Sequence, residues 1–403
     1  MNEHITHTAI SLDTVADYSV AVLTLDNSEG RRPNTFGAQG LAEFATALAR
    51  VHDLATAGEI HAAILTGKPG SFLAGADLKS FQALTDDEEA LAFSRDGKEI
   101  FTHIQTLGIP TIALLNGLAL GGGLELALFC DYRVATPDAK FVGFPETYLG
   151  LVPGWAGSYH LPRLIGPEAA LRVLVDNPLA GNRLLSIPDA VDIGIVDAQV
   201  QDDAETGTFL TRILTGDVPS RAPLADAAAW AAALDARRPI ARARHAAGTE
   251  ALSNLLDLVA LARTGDQATY FARESEYARR ANMSDAFRRN LYAFNLLAAR
   301  PRHPAEEAPD TTPIAEALGE ATQSLPGHLE AVSLEDLRPE LPALVSAVRG
   351  LLAAGWTTAQ IDTVALSDLK WPLYFGGILP ILDVLAGTAI LEPGVATVPP
   401  RGV

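Results

Sequence analysis

The sequence predicts an α/β core followed by an all-helical region, and three observations carry that prediction. Over roughly the first 200 residues, short apolar and β-branched runs alternate with stretches of helical spacing. From about residue 203 to 300 the chain becomes Ala-, Leu- and Arg-rich, with helical periodicity. The chain has 403 residues, 48% of them hydrophobic, enough apolar material for a large core and a length that predicts two or three domains at roughly 150 residues each.

Taken in order, Val20-Ala21-Val22-Leu23-Thr24-Leu25 is a β-rich run, and residues 38–51 have the apolar spacing of an amphipathic helix. Ala62-Ala63-Ile64-Leu65-Thr66-Gly67 reads as a buried strand closed by a turn. Residues 111–115 form another, leading through Asn116-Gly117 and a glycine-rich turn into a helix from about Leu124. Tyr132-Arg133-Val134-Ala135 is a third short buried strand. Helices are expected over 224–236, 251–263, 267–281 and 286–300. Residues 301–313 carry four prolines and three acids and read as a linker or an extended surface crossing. Beyond it, 341–354 and 359–366 look helical, and the tail after Glu392 is irregular. The expected organisation is a core over 1–200, a helical region over 201–300, a Pro-rich linker over 301–330 and a C-terminal helical extension over 331–403.

Charge and composition narrow the function. With 30 Lys+Arg against 49 Asp+Glu the formal net charge is −19, a surface that repels nucleic-acid backbones and anionic membranes. Residues 1–14 are polar and lack the basic and apolar regions of a secretory signal. The most membrane-like stretch, 109–130, is broken by Pro110, Asn116, Gly117, Gly121-Gly122-Gly123 and Glu125, a poor bilayer span. A cytoplasmic protein is expected. The single cysteine, Cys130, excludes an internal disulfide framework and a thiolate zinc cluster. The nine histidines form no H-E-x-x-H pair, and His4 and His7 lie on a terminus expected to be mobile, so no metal site is expected. Ser158 lacks a G-x-S-x-G elbow, which argues against nucleophilic catalysis.

Three segments carry chemistry. Ser71-Phe72-Leu73-Ala74-Gly75-Ala76-Asp77-Leu78-Lys79 follows a strand, and its small residues let the backbone approach a ligand, although a tight surface turn has the same composition. In Asn116 to Glu125, glycines ahead of a helix leave backbone N–H groups pointing outward, where the helix dipole favours negative charge. Glu125 in that first turn is by itself as consistent with dipole compensation as with catalysis. Phe144-Pro145-Glu146, followed by Gly150-Leu151-Val152-Pro153-Gly154-Trp155, sets an acid among apolar residues, where burial would raise its pKa toward the range of a general acid. Taken together, two turns that can each aim an N–H at one oxygen, plus two carboxylates, are equipment for enolate chemistry on an activated carbonyl.

These segments resemble the enoyl-CoA hydratase/isomerase (crotonase) superfamily, whose signatures are an A-G-A-D-[LI]-K turn, an N-G-x-A-x-G-G-G-x-E-L-A run and a P-E-x-x-x-G-x-x-P-G loop. Here they stand as Ala74 to Lys79, Asn116 to Ala127 and Pro145 to Gly154. The resemblance covers roughly residues 15–300. It implies a crotonase-like α/β spiral of ββα units, completed by the helical region and followed by an extra helical C-terminal module. It also implies an oxyanion hole from the N–H groups of Ala76 and Gly122, the two glutamates of hydratases at Glu125 and Glu146, and a water-holding glycine at Gly154. Ala74, Lys79 and Arg31 match positions that hold coenzyme A. The family loop continues P-G-x-G-G-T-Q-R-L, whereas this chain has Pro153-Gly154-Trp155-Ala156-Gly157-Ser158-Tyr159-His160-Leu161. His160 is read there as a structural residue.

The expected activity is reversible hydration of 2-enoyl-CoA to 3-hydroxyacyl-CoA. Coenzyme A would arrive as part of the substrate, with no resident cofactor, and the resemblance implies a homo-oligomer, a trimer or hexamer. Double-bond isomerisation, other enolate chemistry on acyl-CoA, or a non-catalytic acyl-CoA-binding scaffold are the alternatives. Near the C-terminus, Trp371-Pro372-Leu373-Tyr374-Phe375-Gly376-Gly377 resembles the end of multifunctional β-oxidation enzymes. The last hundred or so residues have neither the length nor the G-x-G-x-x-G turn of a dinucleotide domain, so NAD binding is not expected. Trp371, Tyr374, Phe375 and Leu379 are expected to dock this module onto the core or a neighbouring subunit.

Overall fold

The computed structural model describes residues 4–84, 86–218, 224–246, 249–299, 310–323, 325, 337–369, 371 and 377–386. The chain forms two compact units: Met1–Thr147 with Val152–Arg237 and Asn254–Arg280, and Tyr148–Leu151 with Arg238–Ser253 and Ala281–Val403.

The first unit is built from strands β1 (His7–Val15), β2 (Tyr18–Asp26), β3 (Ala62–Gly67), β4 (Gly70–Leu73), β5 (Thr111–Leu115), β6 (Gly117–Leu120), β7 (Tyr132–Ala135), β8 (Phe141–Gly143), β9 (Leu185–Ser186) and β10 (Ala198–Gln199). They form two sheets, one ordered β1-β2-β3-β5-β7-β10 and the other β4-β6-β8-β9. Apart from the antiparallel pairs β1–β2 and β8–β9, neighbours run parallel. Strand, corner, second strand and helix recur three times along the chain. Each repeat gives its first strand to the larger sheet and its second to the smaller: β3–β4, β5–β6, β7–β8.

Composition explains the split. β3 and β5 are continuous apolar runs because helices and sheet cover both of their faces. Their residues Ala62, Ile64 and Ile112 pack with Val20, Val134 and Val200 against Leu210 and Ile213 of the helix Asp203–Leu214. The 109–130 stretch that is apolar enough to suggest a membrane resolves into β5, β6 and a short helix. Among the described residues, no helix is long and apolar enough to cross a membrane.

The helices that matter for the site are α1 (Ala38–Thr56), α2 (Leu78–Ala83), α3 (Asp87–Gln105), α4 (Gly122–Phe129) and α5 (Gly157–Ile165). Helix α4 begins at Gly122, ahead of the Leu124 start that the sequence suggests, so Gly122 and Gly123 belong to the helix rather than to a loop before it. Strand β1 departs more clearly from expectation. Its turn, Ala16-Asp17 with φ of 47° and 70°, closes a hairpin without the Asn-Gly pair that marks such turns. The N-terminal segment, expected to be mobile, is instead tied down: His7 Nδ1 lies 2.8 Å from Glu43 Oε2, and His4 Nδ1 2.5 Å from Glu29 Oε1.

The second unit is helical. Helices Thr312–Ala321, Leu341–Ala353, Thr358–Ser367 and Ile378–Ala386 bury Ile314, Leu318, Leu344, Val348, Ile361, Val364, Ile378 and Leu382 in one cluster with Ala293 of the helix Asp285–Ala299. The helix Thr312–Ala321 stands within the stretch 301–330 that reads as a Pro-rich linker, and residues 301–309 lie outside the described residues. Trp371 and Leu379 are buried in this cluster, within the second unit itself, whereas Tyr374 and Phe375 lie outside the described residues. Asp362, fully buried, accepts the N–H groups of Ile378 (2.8 Å) and Leu379 (3.0 Å), satisfying orphan donors of the last helix.

Candidate active site

Three exits from the smaller sheet meet at one point. The turn after β4 is Ala74-Gly75-Ala76-Asp77. It is bound to the segment after β2 by Ala74 N–H to Asn34 O (2.8 Å), Phe36 N–H to Gly75 O (3.0 Å) and Asp77 N–H to Phe36 O (2.9 Å). The turn after β6 is Gly121, with Gly122 opening α4 directly behind it, and Gly121 N–H donates to Gly143 O at the end of β8, 2.9 Å away. Gly75 has φ 92°, and a Cβ there would lie 3.2 Å from Gly122 N. The two turns therefore touch, and only a residue without a side chain fits both the dihedral and the gap. Among the described residues, neither the Ala76 nor the Gly122 N–H donates a backbone hydrogen bond.

Two carboxylates flank these turns. Glu125, in the first turn of α4, is buried, and its Oε1 accepts the N–H groups of Trp155 (2.8 Å) and Gly157 (2.7 Å). Burial, then the charges of Glu146 and Glu274, hold its pKa well above the usual carboxylate range, while the two N–H donors oppose that shift. Glu146 opens the short 3-10 helix Glu146–Leu149 after β8. A Cβ on Gly121 would lie 2.5 Å from its Oε1, so the carboxyl rests against the glycine turn. The residue is half-buried, yet its Oε2 is enclosed and has no hydrogen-bond partner. Burial pushes its pKa up to about 8.

The loop that follows runs through Gly154 to α5. Gly154 O accepts from Ser94 Oγ (2.7 Å) and Lys98 Nζ (3.0 Å), both on α3. The Trp155 indole lies over Gly122 and Gly97: a Cβ on Gly122 would meet its Cζ3 at 2.4 Å, and one on Gly97 its Nε1 at 2.2 Å. The rings of Phe93 and Phe101 each stand 5.3 Å from it, and its N–H donates to Phe93 O (3.2 Å). Ala156 adopts the left-handed region at φ 72°, ψ 18°, where the family pattern has glycine.

Of the residues singled out from sequence, the structure brings Ala76, Gly122, Glu125 and Glu146 together, with Gly154 on the loop that meets Glu125. Ala74 is half-buried in its turn, Lys79 is exposed in the first turn of α2, and Arg31 is exposed on the loop bound beside it. His160 is half-buried with its Nε2 enclosed, edge-on to Phe129 and Tyr159, and desolvation of the ring pushes its pKa down to about 3, which leaves it a neutral packing residue. A buried polar cluster behind the loop escapes sequence reasoning: Lys98 on α3, and Glu274, Tyr270 and Ser275 on the helix Gln267–Asn282. One signal for it exists. Ala90, Ser94, Lys98, Phe101 and Ile104 fall at the spacing of a single helix face, which places the lysine on the apolar side.

The enoyl-CoA hydratase/isomerase family model matches residues 16–213. A probable enoyl-CoA hydratase of Bacillus subtilis is 36% identical over 198 residues, 49% of this chain and 71% of that protein. The fatty acid oxidation complex subunit alpha of Shewanella loihica is 39% identical over 208 residues, 51% of this chain but only 28% of that longer protein. The crystal structure of an enoyl-CoA hydratase from Thermoplasma volcanium aligns at 25% identity with a TM-score of 0.45, covering 63% of this chain and 90% of that one.

Proposed function

The chain belongs to the enoyl-CoA hydratase/isomerase family, and from that premise we propose that it catalyses the reversible hydration of 2-enoyl-CoA thioesters to 3-hydroxyacyl-CoA. The observation that carries this reading is the enclosed pair of carboxylates, Glu125 and Glu146, beside the free N–H groups of Ala76 and Gly122.

The thioester oxygen would sit between the two N–H groups, which strengthen their hold as negative charge develops on it. The charge of Glu146 disfavours ionisation of Glu125, so in this reading the pair carries one proton between them. The donors on Glu125 favour its charged form, and none reaches Glu146 Oε2. Glu125 then takes a proton from water as its oxygen attacks the β-carbon, and Glu146 delivers its proton to the α-carbon. Elimination runs the same path backwards. Gly154 N–H, which has no backbone acceptor among the described residues, would hold that water. Lys79, exposed in the first turn of α2, and Arg31, exposed on the adjoining loop, are the cations offered to the phosphates of coenzyme A. Every step is a proton transfer or the conjugate addition of water that generates the enolate, so no resident cofactor is needed. A cytoplasmic homo-oligomer, trimer or hexamer, completes the reading, and sedimentation velocity measures its size.

The test is loss of the conjugated thioester absorbance of crotonyl-CoA. Wild-type protein should turn it over, and Glu125→Gln and Glu146→Gln should each lower kcat by at least ~10²-fold, the usual worth of one general acid–base group. Near-normal hydration by either variant would sink the two-carboxylate mechanism. Activity lost only in Glu146→Gln would point to a single-base isomerase.

A further inference from the structure

Backbone groups of the turn 154–157 face opposite ways. Trp155 and Gly157 N–H point at Glu125 Oε1. Gly154 O and Ala156 N–H point to the far side, onto a pair of buried charges: Lys98 Nζ lies 3.2 Å from Glu274 Oε2, with side chains 1% and 0% exposed. Ala156 N–H donates to Glu274 Oε2 at 2.8 Å, and Lys98 Nζ donates to Gly154 O at 3.0 Å. Ser94 Oγ accepts from Lys98 Nζ (2.8 Å) and donates to the same Gly154 O (2.7 Å). Tyr270 OH (2.9 Å) and Ser158 Oγ (3.3 Å) donate to the other oxygen, Glu274 Oε1. Every charged group of the pair is engaged: Gly154 O belongs to the same peptide group as the Trp155 N–H that holds Glu125, and Ala156 N–H to the peptide group between the two that hold it.

We propose that Lys98 and Glu274 are positioning residues for Glu125: by clamping Gly154 O and Ala156 N–H they hold Ala156 in its left-handed conformation, and so aim the Trp155 and Gly157 N–H groups at the carboxylate. A dry ion pair of this kind contributes little to stability beyond what well-packed apolar residues would give, yet removing one partner leaves an uncompensated charge. Its contribution is to fix a geometry. Lys98 and Glu274 touch neither the Ala76–Gly122 turn pair nor the exposed cations, so their loss should act on turnover and leave substrate affinity alone. The effect on turnover rests on the hydratase reading; the effect on the turn does not.

The experiment combines two readouts on Lys98→Met, Glu274→Gln and the double variant. Amide hydrogen exchange at Trp155 and Gly157 should accelerate at least ~10-fold in each single variant, with the β3 and β5 amides unchanged. With crotonyl-CoA, kcat should fall at least ~10-fold at a KM within about threefold of wild type. The double variant keeps an acceptor for Ala156 N–H and buries no lone charge, and should regain part of the lost kcat. Unchanged exchange at the two amides in the folded variants overturns the proposal whatever the substrate. Faster exchange with undiminished kcat also overturns it. If wild-type protein does not hydrate crotonyl-CoA, the hydratase reading falls, and exchange alone decides the positioning role.

Discussion

Glu146 holds its proton up to about pH 8, against 4.5 for a carboxyl in water, because burial disfavours its charged form. A proton donor must be protonated, so the hydration rate should fall as pH rises through about 8. The same shift governs stability. Between pH 4.5 and about 8 the folded state binds a proton that the unfolded state has released, so wild-type stability declines as pH rises across that window. Glu146→Gln removes the linkage. Its melting temperature should match wild type near pH 4 and exceed it increasingly toward pH 8; an equal offset at both ends would disprove the assignment. Ala156 offers a second measurement at this scale. Its left-handed backbone costs roughly 1–2 kcal/mol, while glycine would lose about 0.5–1 kcal/mol through greater unfolded freedom. Ala156→Gly should therefore change stability by no more than about 1.5 kcal/mol in the favourable direction, read by urea titration. Glu125 and Glu146 are legible in the sequence because ordered motifs surround them. Glu274 is not: in Phe271-Ala272-Arg273-Glu274-Ser275-Glu276 it looks like any solvated helix acid, and the partners that account for its burial include a lysine 176 positions earlier and the Ala156 N–H 118 positions earlier in the chain.

Among the elements, α3 is the one whose sequence misleads most. Its charged residues suggest a solvated helix, yet Gly97, Lys98 and Phe101 form a face against the Trp155 loop. Glycine in mid-helix normally costs about 0.5–1 kcal/mol relative to alanine. Here the usual sign should reverse, because a Cβ on Gly97 would lie 2.2 Å from Trp155 Nε1. Gly97→Ala is expected to lower stability by about 1–3 kcal/mol, the range for overpacking, and to shift tryptophan fluorescence; a more stable variant with an unchanged spectrum would contradict the packing. Gly122 in α4 meets the same indole from the other side. Gly122→Val should abolish turnover in a protein that still folds, since a β-branched side chain there must displace the ring and the turn together. The parallel strands β3, β5 and β7 are readable to the residue, because a short continuous apolar run bounded by turns suits a buried strand and is too brief for a helix. The strands of the smaller sheet are not, being two to four residues long and rich in glycine.

For the molecule as a whole, the two units have different grounds for stability. The first is stitched by long-range strand pairing, the second by helix packing around Ile314, Leu344, Val348 and Ile361. Leu296 and Leu297, on the helix Asp285–Ala299, lean on that packing. A chain ending before Thr312 would uncover them, and at roughly 1.5–3 kcal/mol per large apolar side chain the loss is comparable to the margin of a small helical unit. The truncated protein is expected to aggregate or to bind a hydrophobic dye; a soluble monomer with an unaltered melting curve would show the helices after residue 310 to be dispensable. Calorimetric titration of the full chain with NAD should show no saturable binding. The helical character of this region is legible from periodicity, but its extent is not, because prolines at 309 and 313 mark a helix start as readily as a linker.

β4, β6 and β8 are consecutive neighbours in the smaller sheet, and the Ala76 turn, the Gly122 turn and Glu146 leave their carboxyl ends in that order. Backbone hydrogen bonding fixes adjacent strands about 4.8 Å apart. The sheet is therefore a ruler, graduated in strand widths, on which the two N–H groups and the carboxyl of the proposed hydration occupy successive marks. Side-chain substitutions can alter what stands at each mark but not the interval between them. A chain of this architecture can exchange its acid or its loop independently while the spacing of the two turns and the carboxyl stays set by the peptide group.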